Sequence, residues 1–254
     1  MIKLVDILKE IAGNTPQAIF LAGPAGSGKS FTSKKIIPPD FSIINVDDTY
    51  EELLELSGIG MKLANMSPDE LKKSGELMGQ ARKATDAKLQ DAIKNAKNLL
   101  IDSVGGSSKV LLKKKADLEA LGYDTAMIMT YVSPITSLER NKQRDRSLLP
   151  SIVIRSWRDV NTNIDAYRQA FGSDFTLVNL DPKDANKDFD ENFIYKNYIE
   201  PLGQVGKEKT PEEKAKSRAE SEKIYSDIKQ TLKSQSKFDT VEQAKTKITN
   251  FINK

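Results

Sequence analysis

The octet GPAGSGKS, at residues 23–30, has the residue types and spacing of a phosphate-binding loop. It satisfies G-x-x-x-x-G-K-[ST], follows the apolar run 18–22 and leads into a helix-forming segment, which is the context that this motif requires. Backbone N–H groups at a helix N-terminus bind phosphate. We expect Lys29 to reach the β- and γ-phosphates and Ser30 to hold Mg²⁺. The predicted nucleotide-binding residues are Gly23, Pro24, Ala25, Gly26, Ser27, Gly28, Lys29 and Ser30.

Two adjacent carboxylates, Asp47 and Asp48, follow the second apolar run of the chain, in the segment NVDDTY at residues 45–50. In small-molecule kinases a carboxylate at this place takes the proton of the acceptor hydroxyl. We therefore predict that one of the two acids is the base, while the other caps the following helix and lies beside the substrate. The alternative is that both acids only cap the helix and solvate the strand end.

A third acid, Asp102, ends the apolar run 99–101 and is followed closely by Gly105 and Gly106. An apolar strand that ends in aspartate is the Walker-B pattern, in which the carboxylate orients Mg²⁺ through its water shell. Asp102 is therefore predicted to bind the metal together with Ser30. Because glycine allows a ligand to approach the backbone closely, Gly105 is predicted to contact the substrate.

Arginines are concentrated in one part of the chain. Six of the eight lie between residues 140 and 168, although lysine is far more common overall. Clustered arginine indicates planar, bidentate recognition of phosphate. The spacing predicts a helix running into a lid, with Arg140 and Arg144 on one face and Arg146 pointing elsewhere. The alternative is a helix whose arginines form exposed salt bridges with its own acids.

The composition excludes several kinds of chemistry. The 254-residue chain has no cysteine and no histidine, which excludes disulfides, thiolate or histidine metal sites, and catalysis by either side chain. A net charge of +3 does not indicate nucleic-acid binding by itself, so a nucleic-acid partner is not favoured. No apolar run approaches the roughly 18 residues of a membrane helix, and the first residues do not have the pattern of a signal peptide. We therefore expect a soluble, cytoplasmic protein without a membrane partner.

The elements that must position these side chains alternate along the chain. Short β-branched runs occur at 18–22, 42–46, 98–101 and 126–132, with a fifth candidate at 175–180, and helical patterns separate them. This alternation predicts βαβ units and a parallel sheet.

The texture of the sequence changes after about residue 203. A linker is predicted at 203–209, followed by two highly charged amphipathic helices that are packed on one side only. The first has an apolar stripe over 224–232, and the second is predicted to start at 239–242. We predict a domain over 1–202, including a short N-terminal helix, and a helical C-terminal extension over 203–254. Such an extension is suited to binding a protein partner.

Together these segments resemble the zeta-toxin kinases, relatives of chloramphenicol phosphotransferase and polynucleotide kinase. The resemblance covers about residues 18–180 and depends on the order and spacing of the phosphate loop, VDDTY, NLLIDSVGG, LERNKQRDRSLLP and FGSDFTLVNL. It implies an α/β fold, a P-loop kinase-like three-layer sandwich with a mostly parallel central sheet. It further implies that Asp48 is the base, that Asp102 binds substrate, and that Arg140 and Arg146 clamp the ATP phosphates. The predicted catalytic residues are Lys29, Asp48, Arg140 and Arg146, with Arg144 at the nucleotide and Asp47, Asp102 and Gly105 at the substrate.

The functional hypothesis is a P-loop kinase that uses ATP or GTP with Mg²⁺ and phosphorylates a hydroxyl of a small molecule. The resemblance implies a nucleotide sugar as acceptor. The chain departs from the family at Asp102, where a glutamate is usual, at Val104 in place of a substrate-binding threonine, and at Gly106 in place of a basic residue. Two alternatives therefore stay open: a nucleotide-binding scaffold with decayed kinase chemistry, and a kinase of polynucleotide 5′-hydroxyl groups.

Overall fold

The fold is built around a five-stranded parallel sheet. A computed structural model describes residues 15–61, 66–144, 147–181 and 238–254, together with a few positions between 210 and 226. The strands are β1 (Gln17–Ala22), β2 (Ser42–Ile44), β3 (Leu99–Ser103), β4 (Asp124–Tyr131) and β5 (Phe175–Asn179). Their order in the sheet is β2-β3-β1-β4-β5, and every neighbouring pair is parallel. The predicted α/β class, the five strands and the parallel sheet are confirmed.

Helices connect the strands and cover both faces of the sheet. They are α1 (Lys29–Ile36), α2 (Val46–Ser57), α3 (Pro68–Lys94), α4 (Ser108–Ala120), α5 (Pro134–Lys142), α6 (Pro150–Asn161), α7 (Ile164–Phe171) and α8 (Val241–Ile252). A short 3₁₀ turn, Gly172–Asp174, leads into β5. Helix α3 begins with a capping box, since Ser67 and Glu70 exchange hydrogen bonds between side chain and backbone. None of the helices in the described part of the chain is both long and apolar enough to cross a membrane.

The central strand β1 is buried on both faces, as expected for the middle layer of a sandwich. Its side chains alternate: Phe20 joins the apolar cluster under α3–α7, which includes Trp157 and Tyr167, while Ile19 and Leu21 join the cluster under α1 and α8. This alternation explains why β1 is a continuous apolar run. The three-layer arrangement predicted for the chain is therefore present, with the sheet between two helical layers.

Helix α8 belongs to the packed core. The prediction assigned it to a C-terminal extension, and its start after Thr240 is confirmed by a capping box with Gln243. Ile248 and Phe251 are buried against the sheet, and the side chain of Gln17 donates to the carbonyls of Phe251 and Ile252 at 3.1 Å. Its predicted partner helix around residues 224–232, the linker at 203–209 and the N-terminal helix lie outside the described residues. The domain boundary at residue 203 stays a prediction.

Candidate functional site

The carboxyl ends of β1, β2 and β3 open into a cavity of about 430 Å³. In a parallel α/β sheet this edge is where ligands bind. The lining residues come from the phosphate loop, the start of α2, the end of β3 and the segment around the end of α5. They are Pro24, Ala25, Gly26, Ser27, Gly28, Lys29, Ser30, Asn45, Asp47, Asp48, Glu51, Asp102, Ser103, Val104, Arg140, Arg144, Leu148 and Ser156.

The phosphate loop passes closely over the end of α5. Gly26 has φ +74°, and a Cβ atom there would lie 2.7 Å from the carbonyl oxygen of Ser137, so only glycine fits. Gly28 is the N-cap of α1, which places the N-terminus of that helix at the cavity. The ammonium of Lys29 donates to the carbonyl of Gly23 at 2.9 Å, folding back over the loop. The predicted loop residues therefore form one wall, with Gly23 contributing through its carbonyl rather than by lining the cavity.

Hydroxyl groups behind the loop fix its path. The Ser27 and Thr130 hydroxyls are 2.7 Å apart and buried, and Thr130 also donates to the carbonyl of Ala22 at 3.3 Å. Ser137, buried at the start of α5, donates to the carbonyl of Ala25. Sequence reasoning did not identify Thr130 or Ser137. Both are polar residues in largely buried elements, which is the signal that could have pointed to them.

The two acids of VDDTY lie in the first turn of α2, whose N-cap is Asn45. The Asn45 side chain accepts from the N–H of Asp47 at 2.9 Å. The prediction that one acid caps the helix is therefore wrong, because β2 ends at Ile44 and the helix begins before either aspartate. Asp47 and Asp48 instead occupy positions where their charge interacts favourably with the helix N-terminus. Both line the cavity.

Asn45 also connects the acids of two different elements. Its Nδ2 atom donates to Asp48 Oδ1 at 2.8 Å and to Asp102 Oδ2 at 3.3 Å. Asp102 lies near the end of β3, so the sheet order places it beside the start of α2. The structure thus brings together the three acids that the sequence singled out, and the residue that joins them was missed as a site residue.

Burial sets the protonation behaviour of these groups. It raises the pKa of Asp102 to about 6, an effect that Lys29 opposes and that Asp48 and Asp47 reinforce. Burial also raises the pKa of Asp48, against the hydrogen bond from Asn45. The pKa of Lys29 is lowered by burial, although Asp102 and Asp47 pull it upwards. A buried lysine facing carboxylates is a common arrangement at functional sites.

The arginine-rich segment contributes two side chains to the cavity. Arg140 donates to the carbonyls of Gly26 at 3.3 Å and Leu180 at 2.9 Å, so it ties the phosphate loop to the end of β5. Arg144 also lines the cavity. Because α5 ends at Lys142, Arg144 lies beyond the helix, and the prediction that Arg140 and Arg144 share one helical face is wrong. Arg146 lies outside the described residues, and its role stays a prediction.

Two further arginines of the cluster make local contacts. Arg158 pairs with the adjacent Asp159, and Arg168 pairs with Asp165 one turn earlier on α7. The guanidinium of Arg168 also lies over the ring of Phe175, 5.7 Å from its centre. Arg158 and Arg168 therefore form local salt bridges. The salt-bridge alternative was raised for the helix that carries Arg140, and both Arg140 and Arg144 line the cavity.

Gly105 lies behind the cavity wall rather than in it. Its φ is +76°, and a Cβ atom there would be 2.7 Å from the Cβ of Ala22, so glycine is required for β1 and this loop to approach each other. Its carbonyl accepts a hydrogen bond from the Tyr167 hydroxyl at 2.7 Å. Close packing against Ala22 therefore explains why residue 105 is glycine, and the predicted substrate contact stays a prediction.

Asn141 fixes the segment that follows α5. The side chain is buried, donates to the carbonyl of Leu148 at 2.8 Å and accepts from the Leu148 N–H at 3.0 Å. This paired contact joins the end of α5 to Leu148, which lines the cavity. It is a fourth residue that sequence reasoning missed, and its only signal was an uncharged polar residue within a highly charged run.

The oxygen atoms at the cavity suit a magnesium–nucleotide complex. Mg²⁺ is usually held by one or two protein oxygens together with substrate phosphates and water, rather than by an all-protein cage. Ser30 and Asp102 line the same cavity, and no group of three or more acidic side chains forms a ready-made metal cage in the described part of the chain. The predicted ligands therefore fit Mg²⁺ that arrives with its nucleotide.

Three solved structures are similar to this chain at low sequence identity. The complex of AvrRxo1-ORF1 with AvrRxo1-ORF2, containing sulphate ions, is similar with a TM-score of 0.54 and 15% identity, over 92% of this chain and 84% of that one. The PezAT toxin–antitoxin system of Streptococcus pneumoniae gives 0.44 and 16%, over 84% and 87%. A putative kinase from Chloroflexus aurantiacus J-10-fl gives 0.45 and 14%, over 71% and 92%.

A search of curated proteins finds no match to this sequence. A family model described as Zeta toxin matches residues 4–193, which is most of the chain and includes every element that lines the cavity. This match starts earlier and ends later than the resemblance read from the motifs, which covered about residues 18–180. The chain belongs to the zeta toxin family.

Proposed function

We propose that the protein is a P-loop kinase that transfers the γ-phosphate of ATP to a hydroxyl of a small molecule. The family membership supports a P-loop phosphotransferase in general. The observation that carries the specific proposal is the single cavity that joins the phosphate loop to the carboxylates of Asp48 and Asp102. A donor phosphate and an acceptor hydroxyl need adjoining sites, because a reaction between bound groups depends on their proximity.

The phosphate loop would hold the triphosphate of ATP, or of GTP, at the N-terminus of α1. Lys29 is positioned to exchange its hydrogen bond with the Gly23 carbonyl for the β- and γ-phosphates. Ser30 and Asp102 are the proposed protein ligands of Mg²⁺, which neutralises charge on the phosphates. These assignments use the residues that line the cavity and introduce no further group.

Asp48 is the proposed general base. During transfer the acceptor oxygen forms a bond to the γ-phosphorus, the bond between that phosphorus and the β–γ bridging oxygen breaks, and ADP leaves. The acceptor's proton passes to the Asp48 carboxylate. Burial raises the pKa of Asp48, which makes it a better proton acceptor than an exposed aspartate. Asp47 is proposed to lie beside the acceptor.

The arginines are proposed to act on the transferring phosphoryl group. Arg140 already contacts the phosphate loop through the carbonyl of Gly26, and Arg144 lines the same cavity. Planar guanidinium groups can stabilise charge that develops on the equatorial oxygens in the transition state. Arg146 is proposed to share this role on the family resemblance alone.

The proposal also names a phosphate acceptor and a protein partner. A nucleotide sugar is the acceptor that the resemblance implies, although Val104, which is 41% exposed at the cavity, replaces a threonine there. A protein partner is also proposed, since the family is named for a toxin and the similar AvrRxo1-ORF1 was solved with a second protein. Use of a nucleoside triphosphate favours a cytoplasmic location.

The proposal is tested by transfer of label from [γ-³²P]ATP. The protein is incubated with Mg²⁺ and separate panels of nucleotide sugars, simpler hydroxyl compounds and 5′-hydroxyl oligonucleotides, and products are identified by mass. We expect a labelled phosphate ester with a small molecule, dependent on Lys29. Label only on oligonucleotides would replace the acceptor by a polynucleotide end. ATP binding without a labelled ester from any panel would favour the scaffold alternative.

A further inference from the structure

Asn45 makes hydrogen bonds with three residues of the candidate site. It lies between β2 and α2, and its Oδ1 atom accepts from the N–H of Asp47 at 2.9 Å. Its Nδ2 atom donates to Asp48 at 2.8 Å and to Asp102 at 3.3 Å. One side chain therefore joins the start of a helix to the end of a neighbouring strand.

Helix capping alone does not account for this arrangement. An N-cap needs one acceptor atom, and serine, threonine and aspartate supply it about as well as asparagine. In Asn45 the capping acceptor is Oδ1, so the donor Nδ2 is additional to what the cap requires. Both hydrogen bonds of that donor end on carboxylates that line the cavity.

The surroundings of the two carboxylates make a donor between them useful. Asp48 faces Asp47 and Glu52 on its own helix, Lys88 on α3 and Asp102 on β3. Asp102 also faces Lys29 and Arg144. The carboxylates of Asp48 and Asp102 still repel each other, because like charges that share a site do so. An N–H group shared by both reduces this repulsion and fixes the rotation of each carboxylate, because charge-assisted hydrogen bonds are strong and directional.

We propose that Asn45 is a positioning residue that holds the Asp48 and Asp102 carboxylates in one array facing the phosphate loop. The inference rests on the proposed function in giving Asp48 the role of base and Asp102 that of a Mg²⁺ ligand. Asn45 does not itself exchange a proton. It determines where the base lies relative to the acidic residue proposed for Mg²⁺, which is how the acceptor hydroxyl and the γ-phosphate come to be aligned.

The variant Asn45→Ser separates the two roles of the side chain. Serine retains an acceptor for the helix cap, but it has no amide group that could donate to both carboxylates. We expect its melting temperature and ATP dissociation constant to stay near those of wild type, while turnover falls by about 10–100-fold, the typical effect of losing a partner that orients a functional ligand. Ser67→Ala, which removes the cap of α3 far from the cavity, is the matched control: stability falls and turnover does not.

Two outcomes overturn the proposal. One is wild-type turnover in Asn45→Ser; the other is a loss of turnover that Ser67→Ala reproduces in proportion to its loss of stability. A crystal structure of Asn45→Ser supplies a readout that does not depend on activity. The proposal requires the Asp48 and Asp102 carboxylates to move apart or rotate. If wild type transfers no phosphate, the proposed function fails, and this structural comparison still decides whether Asn45 positions the pair.

Discussion

The two halves of the cavity are built in different ways. The phosphate half consists of residues 24–30 with Arg140 and Arg144, and the carboxylate half consists of Asn45, Asp47, Asp48, Glu51 and Asp102. In the phosphate half, backbone carbonyls and glycine positions set the shape of the cavity wall, as where Gly26 packs against Ser137. In the second, side chains from α2 and β3 meet through Asn45.

This difference indicates that the two halves of the cavity tolerate substitutions differently. The shape of the phosphate loop is fixed by backbone geometry and depends on a few residue positions. Its proposed ligand is a triphosphate, which many proteins bind. A half assembled from side chains can be altered one residue at a time. The departures at Asp102 and Val104 fall in or beside the carboxylate half, whereas the phosphate loop is complete. We therefore expect donor binding and acceptor choice to respond separately to mutation.

Lys29→Ala should give the largest effect. Because Lys29 is the proposed contact to the β- and γ-phosphates, its loss should weaken ATP binding and abolish transfer. Calorimetry with ATP and the labelled-transfer assay measure the two effects. Lys34→Ala removes the same charge from an exposed position on α1 and is the control. Unchanged ATP affinity in Lys29→Ala would contradict the assignment of the phosphate half.

Asp48→Asn should separate the halves most clearly. Loss of a positioned base typically lowers turnover by about 10²–10⁴, while ATP affinity should stay close to wild type. Asp69→Asn, at a first-turn position of α3, is the control for loss of a helix N-terminal charge. If Asp48→Asn retains turnover and Asp47→Asn loses it, the base is Asp47, which interacts electrostatically with Lys29.

Arg140→Lys should have a smaller effect, on turnover rather than on ATP affinity. Lysine keeps the charge but cannot contact both the phosphate loop and the Leu180 carbonyl with one planar group. Loss of a hydrogen bond to a charged group, about 1.5–3 kcal/mol, corresponds to roughly a 10–100-fold lower rate. Steady-state kinetics beside Arg155→Lys, an exposed arginine of α6, measures it. Equal rates for both variants would place Arg140 in a structural role only.

A stability measurement, which involves no phosphate transfer, tests the carboxylate half separately. The pKa of Asp102 is raised from 3.8 to about 6, so the folded protein binds this proton more tightly than the unfolded chain does. The ionised group therefore destabilises the fold, by nothing below pH 4 and by an amount that grows to its full value above pH 6. Asp102→Asn should be more stable than wild type at pH 7, by up to about 3 kcal/mol, and similar at pH 4. Denaturant unfolding without nucleotide or metal at both pH values tests this; equal stability at pH 7 would contradict the burial of the charge.

The strands and the phosphate loop could be predicted from the sequence because each of them is one contiguous segment. The loop is a single octet, and β1 is an unbroken apolar run, so local pattern was sufficient. The strand order β2-β3-β1-β4-β5 and the packing of α8 beneath the sheet depend on contacts between distant residues. The sequence of α8 has a narrow apolar stripe among charged residues. This pattern did not show whether the helix packs against the sheet or lies in a separate extension.

The sequence predicted the three aspartates of the carboxylate half but neither Asn45 nor Glu51. Asp47, Asp48 and Asp102 follow apolar runs, which marked them, but the helix boundary was misjudged because Asn45 caps α2 directly after β2. The roles of Asn45, Thr130 and Asn141 arise from hydrogen bonds across the fold. Uncharged polar residues carry no signal of such partners in a single sequence.

A structure with a non-hydrolysable ATP analogue and Mg²⁺ tests most directly whether the two halves form one phosphotransfer site. The account predicts that the γ-phosphate lies on Lys29, with the metal near Ser30 and Asp102, and with Asp48 facing the phosphorus across a space for one acceptor hydroxyl. Attack in such a site requires the reacting atoms to be about 3–3.5 Å apart once the acceptor is bound. A γ-phosphate directed away from Asp48, or a nucleotide bound elsewhere, would contradict the account.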